Sequence, residues 1–232
     1  MHKHVLLKLT GELFSDSKGA LTGERIFSIL SQINAMRDQY FFGIVIGGGN
    51  FFRGNQHGNT MHLAPAVSHQ IGMLATIMNG IMLQELCSQQ GIPAILLSAI
   101  SMPQIASTLS LDAIKKAIKK NYLLIFCGGT GNPFFTTDTT AIIRALQINA
   151  KEVWKGTTVD GIYEGDPTIQ PGSKKRVTIS YQEAITKKLK IMDLTAYAMA
   201  QEHGITTRVF DLFAPNALQS VAQNHHFGST LS

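Results

Sequence analysis

The sequence predicts a three-layer α/β/α sandwich on a mainly parallel sheet. Three observations lead there. Short, largely apolar runs without polar alternation recur at residues 5–9, 41–46, 93–97 and 122–126, the pattern of strands buried on both faces, and a further strand is expected at 206–210. Segments with helical periodicity or cap residues separate them, so strand and helix alternate along the chain without an internal repeat or low-complexity linker. Two of the runs lead directly into glycine-rich loops, and ligands of open α/β sheets bind where strand ends meet such loops.

Composition narrows the classes. With 232 residues, 44% hydrophobic and 15% charged, the chain can bury a sizeable core, which excludes disorder. A single domain over residues 1–232 is expected. No apolar run has the length of a membrane span, and Met1-His2-Lys3-His4 leads into the first strand with no secretory pattern. Cys87 and Cys127 lie in apolar contexts without metal spacing and read as reduced core residues of a cytoplasmic protein. The net charge of +5 suits a phosphate-bearing ligand. The basic residues are dispersed, so neither nucleic acid nor a membrane is an expected partner. The densest cluster, Lys187-Lys188-Leu189-Lys190, reads as a solvated helix end.

In chain order, residues 5–9 form a buried strand that carries one cation, Lys8. An ammonium there needs a partner, such as a phosphate, or a route to solvent at the strand end. Thr10-Gly11-Glu12 turns the chain. Thr22 is expected to cap a helix that runs to about Gln39, with Ile26, Ile29, Leu30, Ile33 and Met36 on one face. The strand at 41–46 enters Gly47-Gly48-Gly49-Asn50-Phe51-Phe52-Arg53-Gly54, where consecutive glycines leave the backbone bare for a ligand and Arg53 suits a phosphoryl group. Residues 55–62 read as a polar, mobile loop, and 64–89 as a long helix closed by Gly91. Ser110 caps a helix ending in Lys119-Lys120, charges that match its C-terminal dipole.

The strand at 122–126 opens the most informative stretch, Gly128-Gly129-Thr130-Gly131-Asn132-Pro133-Phe134-Phe135-Thr136-Thr137-Asp138. A strand, a glycine turn and the start of a helix make an anion site, because bare N–H groups and the helix N-terminus both favour negative charge. The threonines add hydroxyls. Asp138 adds a carboxylate suited to magnesium or to orienting a cation. Phe134 and Phe135 offer a surface for a base or ribose, or anchor the loop. A short strand at 152–155 precedes a turn-rich segment, 156–167, which reads on its own as a surface hairpin. In it Tyr163 can stack on a base and Asp166 can accept from ribose hydroxyls. Ser180-Tyr181-Gln182-Glu183 is a capping box, Asp193 caps the next helix, and Gly204 ends it. After the strand at 206–210 come a short helix at 216–224 and a tail at 228–232.

Lys8-Leu9-Thr10-Gly11-Glu12, the triple-glycine loop through Gly54, Gly72-Met73-Leu74-Ala75-Thr76, the Thr130 to Asp138 loop, the Val-Asp-Gly and Asp-Pro of 157–167, and Met192-Asp193-Leu194 occur in an order that resembles the bacterial UMP kinases of the amino acid kinase superfamily. The resemblance spans almost the whole chain, and its Thr-Gly-Asn-Pro-Phe-Phe-Thr-Thr-Asp motif is the most specific part. It implies an amino acid kinase-like fold and transfer of the ATP γ-phosphoryl group to UMP, with magnesium held mainly by nucleotide phosphates and water. It also implies that Lys8, Leu9, Thr10, Gly11, Gly49 and Arg53 serve the ATP phosphates and that Thr157, Tyr163 and Asp166 line the adenosine side. Gly48, His69 and Thr130, Gly131, Asn132, Pro133, Phe134, Phe135, Thr136 and Thr137 would hold UMP. Lys8, Arg53, Asp138 and Asp193 form the implied catalytic set, the two carboxylates orienting Lys8 and holding the magnesium shell. Inhibition by UTP and a homohexamer built from dimers are further implications.

The chain departs from the family pattern at three places. His69 replaces an Asp that contacts the UMP ribose. Gln84 and Ser88 replace an Arg and a His of a GTP-activation site. Lys151 replaces an Asp before the 152–155 strand. Two other readings use the same fold: a kinase of another small acceptor, such as an amino acid or a carbamate, and a storage protein that binds ATP without turnover. The Thr130–Thr137 loop argues against the first, and Lys8, Arg53, Asp138 and Asp193 argue against the second.

Overall fold

The computed structural model describes residues 2–16, 18–165 and 172–232. Its strands are β1 (Lys3–Leu9), β2 (Tyr40–Ile46), β3 (Ala94–Ser98), β4 (Ser107–Thr108), β5 (Leu123–Cys127), β6 (Glu152–Thr157), β7 (Ile162–Tyr163), β8 (Lys175–Arg176), β9 (Thr178–Ile179), β10 (Thr206–Asp211) and β11 (Ser229–Leu231). Nine of them form one sheet in the order β4-β3-β5-β2-β1-β6-β10-β11-β9, and β7 pairs with β8 as a separate hairpin. Within the large sheet every pairing is parallel except β10 with β11. The helices are α1 (Glu24–Met36), α2 (Pro65–Gln89), α3 (Leu111–Lys119), α4 (Thr137–Gln147), α5 (Tyr181–Thr186), α6 (Leu194–Glu202) and α7 (Ala217–Gln223).

Strand alternation sorts the core into two layers. Val5, Leu7 and Leu9 of β1 pack with Phe42, Ile44 and Ile46 of β2 under α1, α2 and α7. Leu6, Phe41, Val45 and Val153 face the other way, under α3, α4, α5 and α6. This is the three-layer sandwich expected from the sequence. Lys8 and Lys155 follow the parity of Leu6 and Val153, which puts both on the α4 side.

Ser110, Ser180 and Asp193 cap their helices as expected, each side chain accepting from a backbone N–H of the first turn. Other expectations change. Helix α1 ends at Met36, earlier than Gln39, and its N-cap is Gly23; Thr22 still accepts from the Glu24 N–H at 3.3 Å. Residues 55–62 do not form an open polar loop. A wide helical turn, Gly54–Gly58, starts from the Arg53 carbonyl, which accepts from Gln56 and His57. The tail at 228–232 is a strand, because Gly228, at φ +83°, turns Ser229–Leu231 onto β10. By length and composition α2 also passes as a membrane span, with a mean hydropathy of 1.2, which the sequence reading missed. In the fold it is a helix of the sheet face, with Ala75, Ile77, Leu83 and Cys87 buried.

Candidate active site

Parallel pairing of β1, β2 and β5 brings the loop after β2 and the loop after β5 to one sheet edge. Helix α2 holds both loops. Its fully buried Asn79 donates to the Gly47 carbonyl at 2.7 Å and pairs with Asn50. One turn earlier, the Thr76 hydroxyl accepts from the Gly128 N–H at 2.9 Å. Gly48 lies against the same helix so closely that a Cβ there would come within 2.7 Å of the Ala75 Cβ. Gly128 and Gly129 take left-handed backbone, φ +73° and +59°, which turns the chain sharply off β5. Arg144 of α4, only 3% exposed, donates to the Gly129 carbonyl at 2.9 Å and lies over the Phe126 ring. The sequence alone does not single out Asn79 or Arg144, and marks Thr76 only as part of the 72–76 motif, because each acts on a loop distant in sequence.

Between the loops lies a cavity of about 680 Å³, lined by Gly48, Gly49, Arg53, His69, Gly129, Phe135, Thr136 and Thr137 among others. Among the described residues its lining includes two ionisable side chains, Arg53 and His69, and no carboxylate. Arg53 donates to the Gly49 carbonyl at 3.2 Å and forms an ion pair with Glu12. His69 packs its ring 5.2 Å from that of Phe134. Phe134 is exposed and holds φ +72°, a strained value for a bulky residue. Thr130 ties its hydroxyl to Asn132, and Gly131 donates to the Gly128 carbonyl at 3.0 Å, closing the turn that precedes Pro133. Thr136 is the N-cap of α4 and accepts from the Asp138 N–H at 3.0 Å, so that helix N-terminus forms part of the cavity wall.

Behind the wall, Asp138 stands between two lysines. Its Oδ2 is 2.8 Å from Lys155 Nζ and its Oδ1 is 3.6 Å from Lys8 Nζ. Burial alone would raise the Asp138 carboxyl; Lys155 and then Lys8 outweigh it and hold it below the usual carboxylate range. Burial pulls the Lys155 ammonium down to about 8, against the opposing pull of Asp138. Lys155 also donates to the Ile191 carbonyl. The sequence reading placed Lys155 on a short strand and gave it no role. The signal was present, a lysine in a strand whose neighbours are apolar, the same signal that singled out Lys8.

Asp138 meets Lys8 as the sequence suggested, but no ion pair joins Asp193 to Lys8. The Asp193 carboxylate accepts from the hydroxyls of Thr136 and of Thr139, the latter at 2.7 Å, and from the Ala196 N–H at 2.9 Å. Its place is to lock the start of α4 to the start of α6. Among the described residues no three His, Cys, Asp or Glu side chains gather as a metal site.

On the other side of β1, Leu9 accepts through its carbonyl from the Gly47 N–H at 3.1 Å, and Thr10 caps the short turn Gly11–Phe14. Thr157 ends β6 with its hydroxyl on Val159, and the Tyr163 hydroxyl donates to Asp160 at 2.6 Å. Asp166 lies outside the described residues.

Comparison with known proteins agrees with this geometry. The amino acid kinase family pattern matches residues 3–211. A uridylate kinase of Thermotoga petrophila is 40% identical over 230 residues, 98% of each chain. The UMP kinase structure from Ureaplasma parvum superposes with a TM-score of 0.95 at 33% identity, covering 100% of this chain and 99% of that one. That from Bacillus anthracis gives 0.93 at 26% identity, covering 100% and 96%. The chain belongs to the amino acid kinase family, on its uridylate kinase branch.

Proposed function

We propose that the protein transfers the γ-phosphoryl group of ATP to UMP, giving ADP and UDP for pyrimidine nucleotide supply. The observation that carries this reading is the cavity beside the 129–137 loop, which has a nucleotide's size and is lined by Arg53 and His69 without a carboxylate. A phosphate dianion is favoured there by Arg53, by bare glycine amides and by the N-terminus of α4. Phosphoryl transfer depends on positioning and charge neutralisation more than on covalent chemistry. Within a single domain, Lys8 and Arg53 supply cations to the transferring group, and Asp138 orients Lys8. Asp193 fixes Thr136 at the acceptor wall. The segment from Leu9 to Gly11, with Gly49, approaches the ATP phosphates, and Thr157, Tyr163 and Asp166 serve the adenosine side.

Magnesium is the proposed cofactor. Asp138 already faces two ammonium groups and Asp193 two hydroxyls, so the donor set fits an ion carried on nucleotide phosphates and water. There it would neutralise phosphate charge. UTP is the proposed inhibitor, since it can occupy the UMP and phosphate loops. Among the described residues, the groove along Gln84, Glu85 and Ser88 has a carboxylate and no cation in its lining, which disfavours an anionic effector such as GTP. Val67, Leu74, Met78 and Ile81 form an exposed apolar seam on α2, which supports self-association, proposed as a hexamer. A cytoplasmic location accords with the free, buried Cys87 and Cys127. A coupled ADP-release assay across UMP, CMP, dUMP and several amino acids tests the function. Turnover restricted to UMP is expected, and equal or greater turnover with an amino acid would overturn it.

A further inference from the structure

We propose that Lys155 is a positioning residue for the transfer step, which keeps Asp138 from cancelling the charge of Lys8. The inference rests on the UMP kinase reading and extends it to a residue outside the implied catalytic set. Lys8 and Lys155 are register partners on the adjacent parallel strands β1 and β6. Alternation turns both toward α4, whose second residue is Asp138. Each oxygen of that carboxylate faces one of the two ammonium groups, at 3.6 Å for Lys8 and 2.8 Å for Lys155. The Lys155 side chain is 9% exposed, and its remaining contact is the Ile191 carbonyl, so it is committed to the protein rather than to a nucleotide.

The charge count gives the reason for this arrangement. At ion-pair range two cations face one anion and leave one net positive charge, while Asp193 acts on Lys155 from outside that range with its carboxylate held by the Thr136 and Thr139 hydroxyls; Lys8 is the more exposed of the two cations. Without Lys155 the carboxylate would face Lys8 alone, and the pair would present no net charge to the oxygens that gain charge in the transition state. The effect is strong because the site is largely buried, where charges at this range interact far more than in water. The Ile191 contact adds a mechanical link. It ties the end of β6 to the turn that delivers Asp193, so one ammonium fixes the surroundings of both carboxylates.

The test is steady-state kinetics with UMP and ATP on the unaltered protein, Lys155→Met, Asp138→Asn and the double variant, with thermal unfolding to show that each is folded. Lys155→Met is expected to lose about 10²-fold in kcat, with KM for UMP little changed. Adding Asp138→Asn to Lys155→Met should restore part of that loss, because it removes the charge that quenches Lys8. A merely structural role predicts the opposite, a double variant slower than either single one. Near-normal kcat in Lys155→Met, or a double variant no faster than Lys155→Met, overturns the inference alone. Absence of UMP turnover in the unaltered protein overturns the functional reading and this inference with it. Should Lys155→Met not fold, Lys155→Gln keeps an N–H donor toward Asp138 and reads the same loss of charge.

Discussion

Asn79 in the middle of α2 and Asn50 in the triple-glycine loop exchange two amide hydrogen bonds, of 3.0 and 2.7 Å. With its further bond to the Gly47 carbonyl, Asn79 fixes the loop from beneath. Asn79→Ala would leave Asn50 and that carbonyl with unmet hydrogen bonds in a half-buried place. A loss of about 1 kcal/mol in stability is expected. Urea unfolding measures it as a lower midpoint at unchanged slope; an unmoved midpoint would show that the pair holds nothing.

Lys8→Ala and Arg53→Ala should each lower kcat by about 10²-fold or more, with a smaller change in KM for UMP. Arg53 sits against Glu12 with its side chain half exposed, so its replacement should leave the thermal transition almost unmoved. A normal kcat in either variant removes that residue from the catalytic set.

The Lys155 ammonium, pulled down to about 8, gives an alkaline limb. Below that pH it is charged and balances Asp138. As pH rises through it, the proton leaves, the carboxylate faces Lys8 alone, and activity falls. The limb belongs in kcat/KM, which reports ionisations of the free enzyme. Lys155→Met has no proton to lose there and should show a lower, flatter profile. The same limb in both proteins would assign it to another group.

His69 lines the cavity, at the position where the resemblance read from the sequence implies an Asp. Neutral imidazole has one acceptor nitrogen, whereas a carboxylate can accept from both ribose hydroxyls. A charge-assisted bond contributes about 1.5–3 kcal/mol against roughly 1 for a neutral one, a difference of about tenfold in affinity. His69→Asp is expected to lower KM for UMP and sharpen discrimination against dUMP, with kcat nearly unchanged. Equal KM values and equal UMP/dUMP ratios in the two proteins would place the ribose elsewhere.

Much of this was legible in local pattern. Unalternating apolar runs announced the buried strands, and Ser110, Ser180 and Asp193 announced their helices. What stayed hidden depends on register and on distance. Lys8 and Lys155 are far apart in sequence, and only the pairing of β1 with β6 sets them side by side. Asp193 was read both as a cap and as a partner of Lys8. The cap is local and held, whereas the side-chain contacts, to Thr136 and Thr139, depend on how α4 and α6 meet. The turn at Gly54–Gly58 has no apolar periodicity to reveal it, and three residues are too few to distinguish β11 from a tail.

The position of β11 has a consequence for how the chain folds. It lies between β10 and β9, antiparallel to one and parallel to the other, with Leu231 fully buried. During synthesis β9 and β10 are made before β11, and a gap one strand wide separates them until residues 229–231 arrive. That border of the sheet therefore closes only after β1 to β10 have been made, and a chain that has not yet reached residues 229–231 would carry two unpaired strand edges there. Deleting residues 228–232 would leave those edges open permanently, which should increase aggregation of the nascent protein more than it disturbs the distant glycine loops.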